Sequence, residues 1–464
     1  MQLAGGWWLG LGVNPRGDAL PWQILVVSMT VGLQVAWLVG AWLLAILATA
    51  AWPERSFRVG QGLAWCLAWG AAEAVRELGV TGYGYTSLGT AFIDLRALSS
   101  WAPVIGVHGL TMLVAALAWL AAGAALPRSG DSRTGGARPA WLAALAVVGC
   151  GQWLSGVAWT QPDGASIAVT LVQDASDKRQ VWRAAERDLA EDRLLDAIRS
   201  TPDGGMVVTP EGHFAEPLPT RPEWFWETLH GEVQARGVHV LVGMPQRALD
   251  DGERLVLNAI LQFAPDRFAI YAKERLVPGG ESLPMASVLS GLYDGAFQSR
   301  VNAHRIGESA APRALTQPLF AAGASVGASI CHELSFTTTM AERARGSAWL
   351  LNAADDAWIP SVVYRSQMAV IARTRALEFA KPLLRVTDGG ASMLVGPEGR
   401  IERVAPETTA AILHWQVQPR VGATPYERHA DALTLAPAAA LGILSAIAFA
   451  LRARRLFQPD PRTP

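Results

Sequence analysis

Long apolar runs divide this chain. Ala19 to Pro53, Ala97 to Pro127, Pro139 to Pro162 and Ala432 to Leu451 contain no Asp, Glu, Lys or Arg. A bilayer core about 30 Å thick needs about 20 mostly apolar helical residues, so each run reads as a spanning helix rather than as a buried helix of a large soluble protein. Val59 to Leu78 is a further candidate span; it carries Glu73, Arg76 and Glu77 near one end, where charges reach an interface or a protein interior. Leu3 to Val13 is apolar but too short to span, and it does not have the layout of a cleavable signal peptide.

After Trp159 the period shortens and charge returns. Ala165 to Gln173 predicts a strand and Val181 to Arg199 a charged helix. Val207 and Val208, Val238 to Met244, Leu257 to Phe263, Gly327 to Ile330 and Trp349 to Asn352 are further short apolar runs. A helix over Ser366 to Ala380 precedes strands near Leu383 to Thr387 and Ala391 to Val395. Strands alternating with helices predict a layered α/β domain. The chain thus divides into a membrane domain over 1–162 with about four spans, an α/β domain over 163–431, and a last transmembrane helix with a basic tail over 432–464.

Composition sharpens this reading. The 464 residues are 51% hydrophobic and only 17% charged, too apolar for an ordinary soluble protein. With 39 basic and 40 acidic residues the net charge is -1, so no broad basic surface invites nucleic acid. Three cysteines exclude a disulfide scaffold or a cysteine-rich metal site; Cys66 and Cys150 lie in apolar stretches and Cys331 in a polar one. His213, His332, Asp355 and Asp356 fit no metal-ligand spacing, and no metal or cofactor is expected. Orientation follows from arginine. Arg128, Arg133 and Arg138 outnumber Asp131 between two spans, and Arg452, Arg454 and Arg455 follow the last one. Both segments read as cytoplasmic, which places the α/β domain on the opposite face.

Polar residues recur just after the apolar strands, where side chains reach the rim of a sheet: Glu211, Lys273, Cys331, Asp355 and Asp356. The words around them resemble the nitrilase superfamily and, within it, the bacterial apolipoprotein N-acyltransferases. They are Thr209-Pro210-Glu211, the run from Lys273 to Glu281, Ile330-Cys331-His332-Glu333, and Asp355-Asp356-Ala357-Trp358. Gln367, the run from Ala372 to Glu378, Lys381 to Arg385, Thr424 to Arg428 and Ile105-Gly106-Val107 continue the likeness.

The resemblance implies an α-β-β-α sandwich with a Glu211, Lys273, Cys331 triad. A cysteine attacks a carbonyl as thiolate, so it needs a base, here Glu211, and a cation, here Lys273. Lys273 and a backbone N–H near Cys331 would stabilise the tetrahedral oxyanion, where losing one donor costs about 3 kcal/mol. The acyl donor would be a phospholipid, the intermediate a thioester on Cys331, and the acceptor the N-terminal amine of a lipoprotein or another amine. Glu281 and Glu333 beside the triad, and Trp182 over the pocket mouth, match supporting positions, and His332 stands at a further one. The setting would be the bacterial inner membrane, with the catalytic domain periplasmic.

Each residue also has a plainer reading. A lone cysteine after an apolar strand is more often a small buried hydrophobe, and most Glu and Lys are solvated surface groups. Trp182 is one of 19 tryptophans and suits packing or an interface equally well. The chain also departs from the acyltransferase pattern: Thr209 stands where that family has Trp, Gly279 where it has Phe, His332 where it has Tyr and Asp355 where it has Asn. Its membrane part is shorter. These departures suit the conjugal-transfer TraB-type proteins, a second reading. A membrane-tethered carbon–nitrogen hydrolase is a third, and a non-catalytic component of a transfer apparatus a fourth, against which the intact triad speaks.

Overall fold

The computed structural model describes residues 20–49, 57–78, 84–125, 137–174, 184–217, 222–250, 253–277, 281, 316–359, 361–407 and 409–456. Trp182, Gly279, Leu3 to Val13 and most of the arginine-bearing loop and tail that set the expected orientation lie outside them.

Helices α1 (Leu20–Thr49) and α2 (Phe57–Leu78) open the described chain. They pack through small residues, Ala41, Ala45 and Ala48 against Ala64, Ala68 and Ala71, joined by Leu441 near the other end of the sequence. Small side chains let apolar helices approach closely, which supplies the packing that lipid cannot. A one-turn helix α3 (Arg96–Ser99) leads into α4 (Ala102–Ala125), which kinks at Gly106 with φ of 67°. Only glycine suits that site on two counts: φ is left-handed, and a Cβ there would strike the ring of Tyr426. α5 (Ala137–Leu154) completes the N-terminal part.

Val31–Thr49, Ala102–Gly123 and Pro425–Leu451 are long and apolar enough to cross a membrane. The expected span from Pro139 to Pro162 is shorter than the sequence suggests. Its apolar helix is Trp141–Leu154, and the chain turns at Ser155 and Gly156 before Thr160–Pro162 forms a strand. α2 meets its charges in a protein interior: Glu73, Arg76 and Glu77 are all buried.

The remaining elements build two six-stranded sheets. In one the order is β13-β2-β3-β4-β5-β6, from β2 (Ile167–Gln173), β3 (Met206–Val208), β4 (His239–Asp250), β5 (Glu253–Ala264), β6 (Arg267–Ala272) and β13 (Ala411–Val417). In the other it is β12-β11-β10-β9-β8-β7, from β7 (Leu319–Ala321), β8 (Ala324–Ile330), β9 (Trp349–Asp355), β10 (Leu383–Asp388), β11 (Met393–Val395) and β12 (Ile401–Val404). β2, β3 and β4 run parallel, as do β8, β9 and β10. Parallel strands are buried on both faces, which explains unbroken apolar runs such as Trp349 to Leu351.

One apolar cluster takes Val169, Leu171 and Val208 from the first sheet and Ala328, Ile330 and Leu351 from the second, so the sheets share a core. α6 (Ala184–Ser200) and α7 (Glu223–Arg236) cover the first sheet through Leu194, Ile198, Phe225 and Leu229. α8 (Thr337–Ala344) and α9 (Val362–Phe379) cover the second through Met340, Met368, Ile371 and Phe379. A short pair, β1 (Thr160–Pro162) and β14 (Arg420–Gly422), sets Thr160 opposite Gly422, just before α10 (Pro425–Leu456) begins. α10 starts upstream of the expected Ala432 and carries Pro437 within it.

Candidate active site

Glu211, Lys273 and Cys331 each lie just beyond a strand. Glu211 follows β3 on a loop that Thr209 stitches to β4: the Thr209 amide donates to Leu241 O at 3.0 Å, and Thr209 Oγ1 accepts from Gly243 N at 3.0 Å. A side chain at Gly243 would collide with the Pro210 carbonyl, so glycine lets the loop seat there.

Lys273 follows β6 and is buried, with its amide bonded to Asn258 O at 2.8 Å. Its Nζ lies 3.1 Å from Glu211 Oε1 and 2.7 Å from Glu281 Oε1. Asn258 on β5 donates to Glu211 Oε1 at 2.6 Å, and the Asp355 amide donates to Glu211 Oε2 at 3.0 Å. Both carboxylate oxygens of Glu211 are therefore aimed by neighbours. Burial works against the Lys273 ammonium, but Glu211 and then Glu281 outweigh it and hold its pKa well above the usual lysine value. Burial raises the Glu281 carboxyl while Lys273 pulls it back.

Cys331 follows β8 and opens a 3₁₀ turn over Cys331–Ser335 with φ of 50°. A non-glycine residue held in this left-handed region stores roughly 1–3 kcal/mol of strain, and surrounding contacts must impose it. They do. Asn352 Nδ2 donates to the Cys331 carbonyl at 3.2 Å, and Ile330 N donates to Glu333 Oε2 at 2.8 Å, closing the turn. Burial pushes the Cys331 thiol well above its ordinary pKa and Glu211 adds to this, while Lys273 opposes it. At rest the residue is a thiol in the field of the Lys273 ammonium.

Glu333 uses both carboxylate oxygens within the protein. Its Oε1 accepts from Glu274 N at 2.7 Å and Arg275 N at 3.0 Å, and its Oε2 accepts from Tyr271 Oη at 2.7 Å. It binds the stretch after Lys273 to the turn of Cys331. His332 is buried, bonded through Nδ1 to the Tyr85 hydroxyl and stacked on that ring at 5.0 Å. Asp356, one residue past Asp355, forms a two-pronged pair with Arg385, both contacts at 2.8 Å.

The structure thus joins Glu211, Lys273 and Glu281 directly, and sets Cys331 within their electrostatic reach. Sequence reading did not find Asn258, Asn352, the Asp355 amide or Tyr85. Asn258 and Asn352 carry a weak signal, each an amide in an apolar strand, where a buried polar group must find partners. Among the described residues no group of three or more His, Cys, Asp or Glu side chains is arranged to hold a metal ion.

The carbon-nitrogen hydrolase family matches residues 145–426, and the apolipoprotein N-acyltransferase N-terminal domain matches residues 1–120. The apolipoprotein N-acyltransferase of Chromobacterium violaceum is 30% identical over 385 residues, 82% of this chain and 72% of that one. That of Ralstonia nicotianae is 30% identical over 468 residues, covering 98% and 83%. That of Methylococcus capsulatus is 33% identical over 369 residues, covering 78% and 69%. Matched along both its membrane part and its α/β part, the chain belongs to the carbon-nitrogen hydrolase family and, within it, to the apolipoprotein N-acyltransferases.

Proposed function

We propose that the chain moves an acyl group from a phospholipid, through a thioester on Cys331, to the N-terminal amine of a lipoprotein. The observation that carries this reading is the buried Glu211, Lys273 and Glu281 cluster beside a strained cysteine. Tyr85 bonds His332 in that cysteine's turn, and Glu77 at the end of α2 bonds Thr337 just beyond it, so the N-terminal part adjoins the site, which suits a lipid donor.

In the first half-reaction Cys331 Sγ attacks the ester carbonyl while Glu211 takes the thiol proton. The raised thiol pKa makes that transfer part of the attack rather than a prior ionisation. Lys273 stabilises the oxyanion. The tetrahedral adduct collapses, the carbon–oxygen bond breaks, and the leaving alkoxide of the lysophospholipid takes the proton from Glu211. In the second half-reaction the amine attacks the thioester and gives a proton to Glu211. The carbon–sulfur bond breaks, and the departing thiolate recovers that proton. Glu281 keeps Lys273 charged and Glu333 holds the two catalytic segments together.

The domain over 163–431 then forms an α-β-β-α sandwich on the periplasmic face of the inner membrane, between an N-terminal membrane domain over 1–162 and the last helix over 432–464. The plasmid-transfer reading rests on the four sequence departures. Two of them, His332 and Asp355, engage Tyr85 and Glu211 without indicating another reaction.

Intact mass of the purified protein after exposure to phospholipid tests the proposal. The wild type is expected to gain one fatty acyl group, released by hydroxylamine and discharged by an amine, and Cys331→Ser to gain none, because a hydroxyl is a far weaker acid than a thiol. Absence of an adduct with any phospholipid, together with steady consumption of a small amide, overturns acyl transfer in favour of a tethered hydrolase.

A further inference from the structure

α8 begins two residues after the turn that carries Cys331, and its first amides need acceptors, as at every helix start. Its own N-cap residue, Phe336, makes no side-chain cap bond. The acceptor comes from the membrane part instead. Glu77 on α2, 260 positions away, takes hydrogen bonds from the Thr337 amide and, at 3.3 Å, from the Thr338 amide. It also takes the Thr337 hydroxyl at 2.7 Å on Oε1 and 2.8 Å on Oε2. Glu77 is held in turn by His108 of α4, whose Nε2 lies 3.2 Å away.

A second strut ends on the same turn. Arg375 of α9 donates to the Leu334 and Ser335 carbonyls, both at 3.0 Å, and pairs with Glu378. Glu378 Oε1 accepts from Val107 N at 2.7 Å, beside the kink of α4. Gly84 lies so close to the Ser335 carbonyl that a side chain there would collide, and Tyr85 bonds His332. The membrane part therefore reaches the turn at its beginning, at its end and at the helix that follows. Cys331 sits in the left-handed region only as long as its surroundings impose it.

We infer that Glu77 is a positioning residue for the nucleophile: by capping α8 from the membrane side, it fixes the turn that aims Cys331, so that the membrane part belongs to the active-site scaffold. The inference rests on the acyl-transfer reading for its main readout and can be tested apart from it.

The test is single-turnover acylation of the full-length protein by a phosphatidylethanolamine of defined chain length in mixed micelles, followed by intact mass. A smaller folded fraction lowers the amplitude, whereas a misaimed thiol lowers the rate constant. Glu77→Ala is expected to slow the rate constant roughly 10- to 100-fold, the effect of about 1 Å of misplacement. Its amplitude and half-saturating lipid concentration stay unchanged. Glu77→Gln, which keeps an acceptor oxygen for the amides, recovers most of the rate. Should Glu77→Ala fail to fold, Thr337→Val removes only the hydroxyl contact and is expected to slow the rate constant severalfold. A wild-type rate constant with reduced amplitude, or Gln behaving no better than Ala, overturns the inference. If the wild type forms no adduct, acyl transfer falls instead. The rate of Cys331 alkylation by iodoacetamide then decides alone: a rate altered in Glu77→Ala and restored in Glu77→Gln supports positioning, and an unaltered rate overturns it.

Discussion

Two buried charge clusters flank Cys331, and they differ in stoichiometry. Asp356 and Arg385 are one anion and one cation, both almost fully enclosed and joined by two contacts of 2.8 Å. Lys273 faces two carboxylates, Glu211 and Glu281, whose side chains keep 10% and 16% exposure. A balanced pair in that geometry has no role for an extra proton, so it locks the end of β9 to β10. The cluster of two acids and one base has a spare negative charge, and taking up the thiol proton leaves it neutral. In the proposed reaction the unequal count suits proton transfer, and the equal one suits a structural tie.

Removing the cation from each cluster separates their roles. Lys273→Met is expected to lower the acylation rate about 10²- to 10³-fold, as for a lost oxyanion donor, in the intact-mass assay. Its thermal midpoint should fall only modestly, because Glu211 and Glu281 can share a proton once the ammonium is gone. Arg385→Met should do the reverse. Stranding the enclosed Asp356 costs about 3–5 kcal/mol, read as loss of folded protein in a denaturation series, with transfer falling in proportion. Equal loss of stability in the two variants would erase the distinction between the clusters.

A smaller effect concerns Glu211. The Glu211 charge helps hold the Cys331 thiol pKa up while Lys273 pulls it down. In Glu211→Gln the upward push disappears, the thiol pKa falls, and thiolate becomes more abundant at a given pH. Alkylation of Cys331 at mildly alkaline pH should then run severalfold faster than in the wild type, although acyl transfer is lost for want of a base. Slower alkylation in Glu211→Gln would show that Glu211 activates the thiol at rest.

Much of the α/β part was legible because its strands are short, apolar and punctuated by polar residues. The apolar run Gly327 to Ile330 predicted the end of β8, and Thr209-Pro210-Glu211 the turn after β3. β4 and β5 extend well beyond their apolar runs, to Asp250 and from Glu253, where the hairpin pairing continues. The edge strands β12 and β14 gave no apolar signal, since most of their residues face solvent. Around the site, the sequence words located residues by type but not by partner. Asn258 and Glu211 are 47 positions apart, and Glu77 and Thr337 are 260 apart. Glu77 in particular reads as a stray charge at a helix end until the helix it caps is seen.

The pairing of β1 with β14 has a consequence for how such a chain can change. Thr160 faces Gly422, and Arg420 adds bonds to Thr160 Oγ1 at 2.7 Å and to Thr160 O at 2.6 Å. The chain therefore enters and leaves the α/β domain at one spot, in the manner of a module inserted into a host. Whatever is gained or lost among the helices upstream of that spot leaves the module's two ends in the same place. The strands and turns from Thr209 to Arg385 keep their register whatever the number of helices before Thr160.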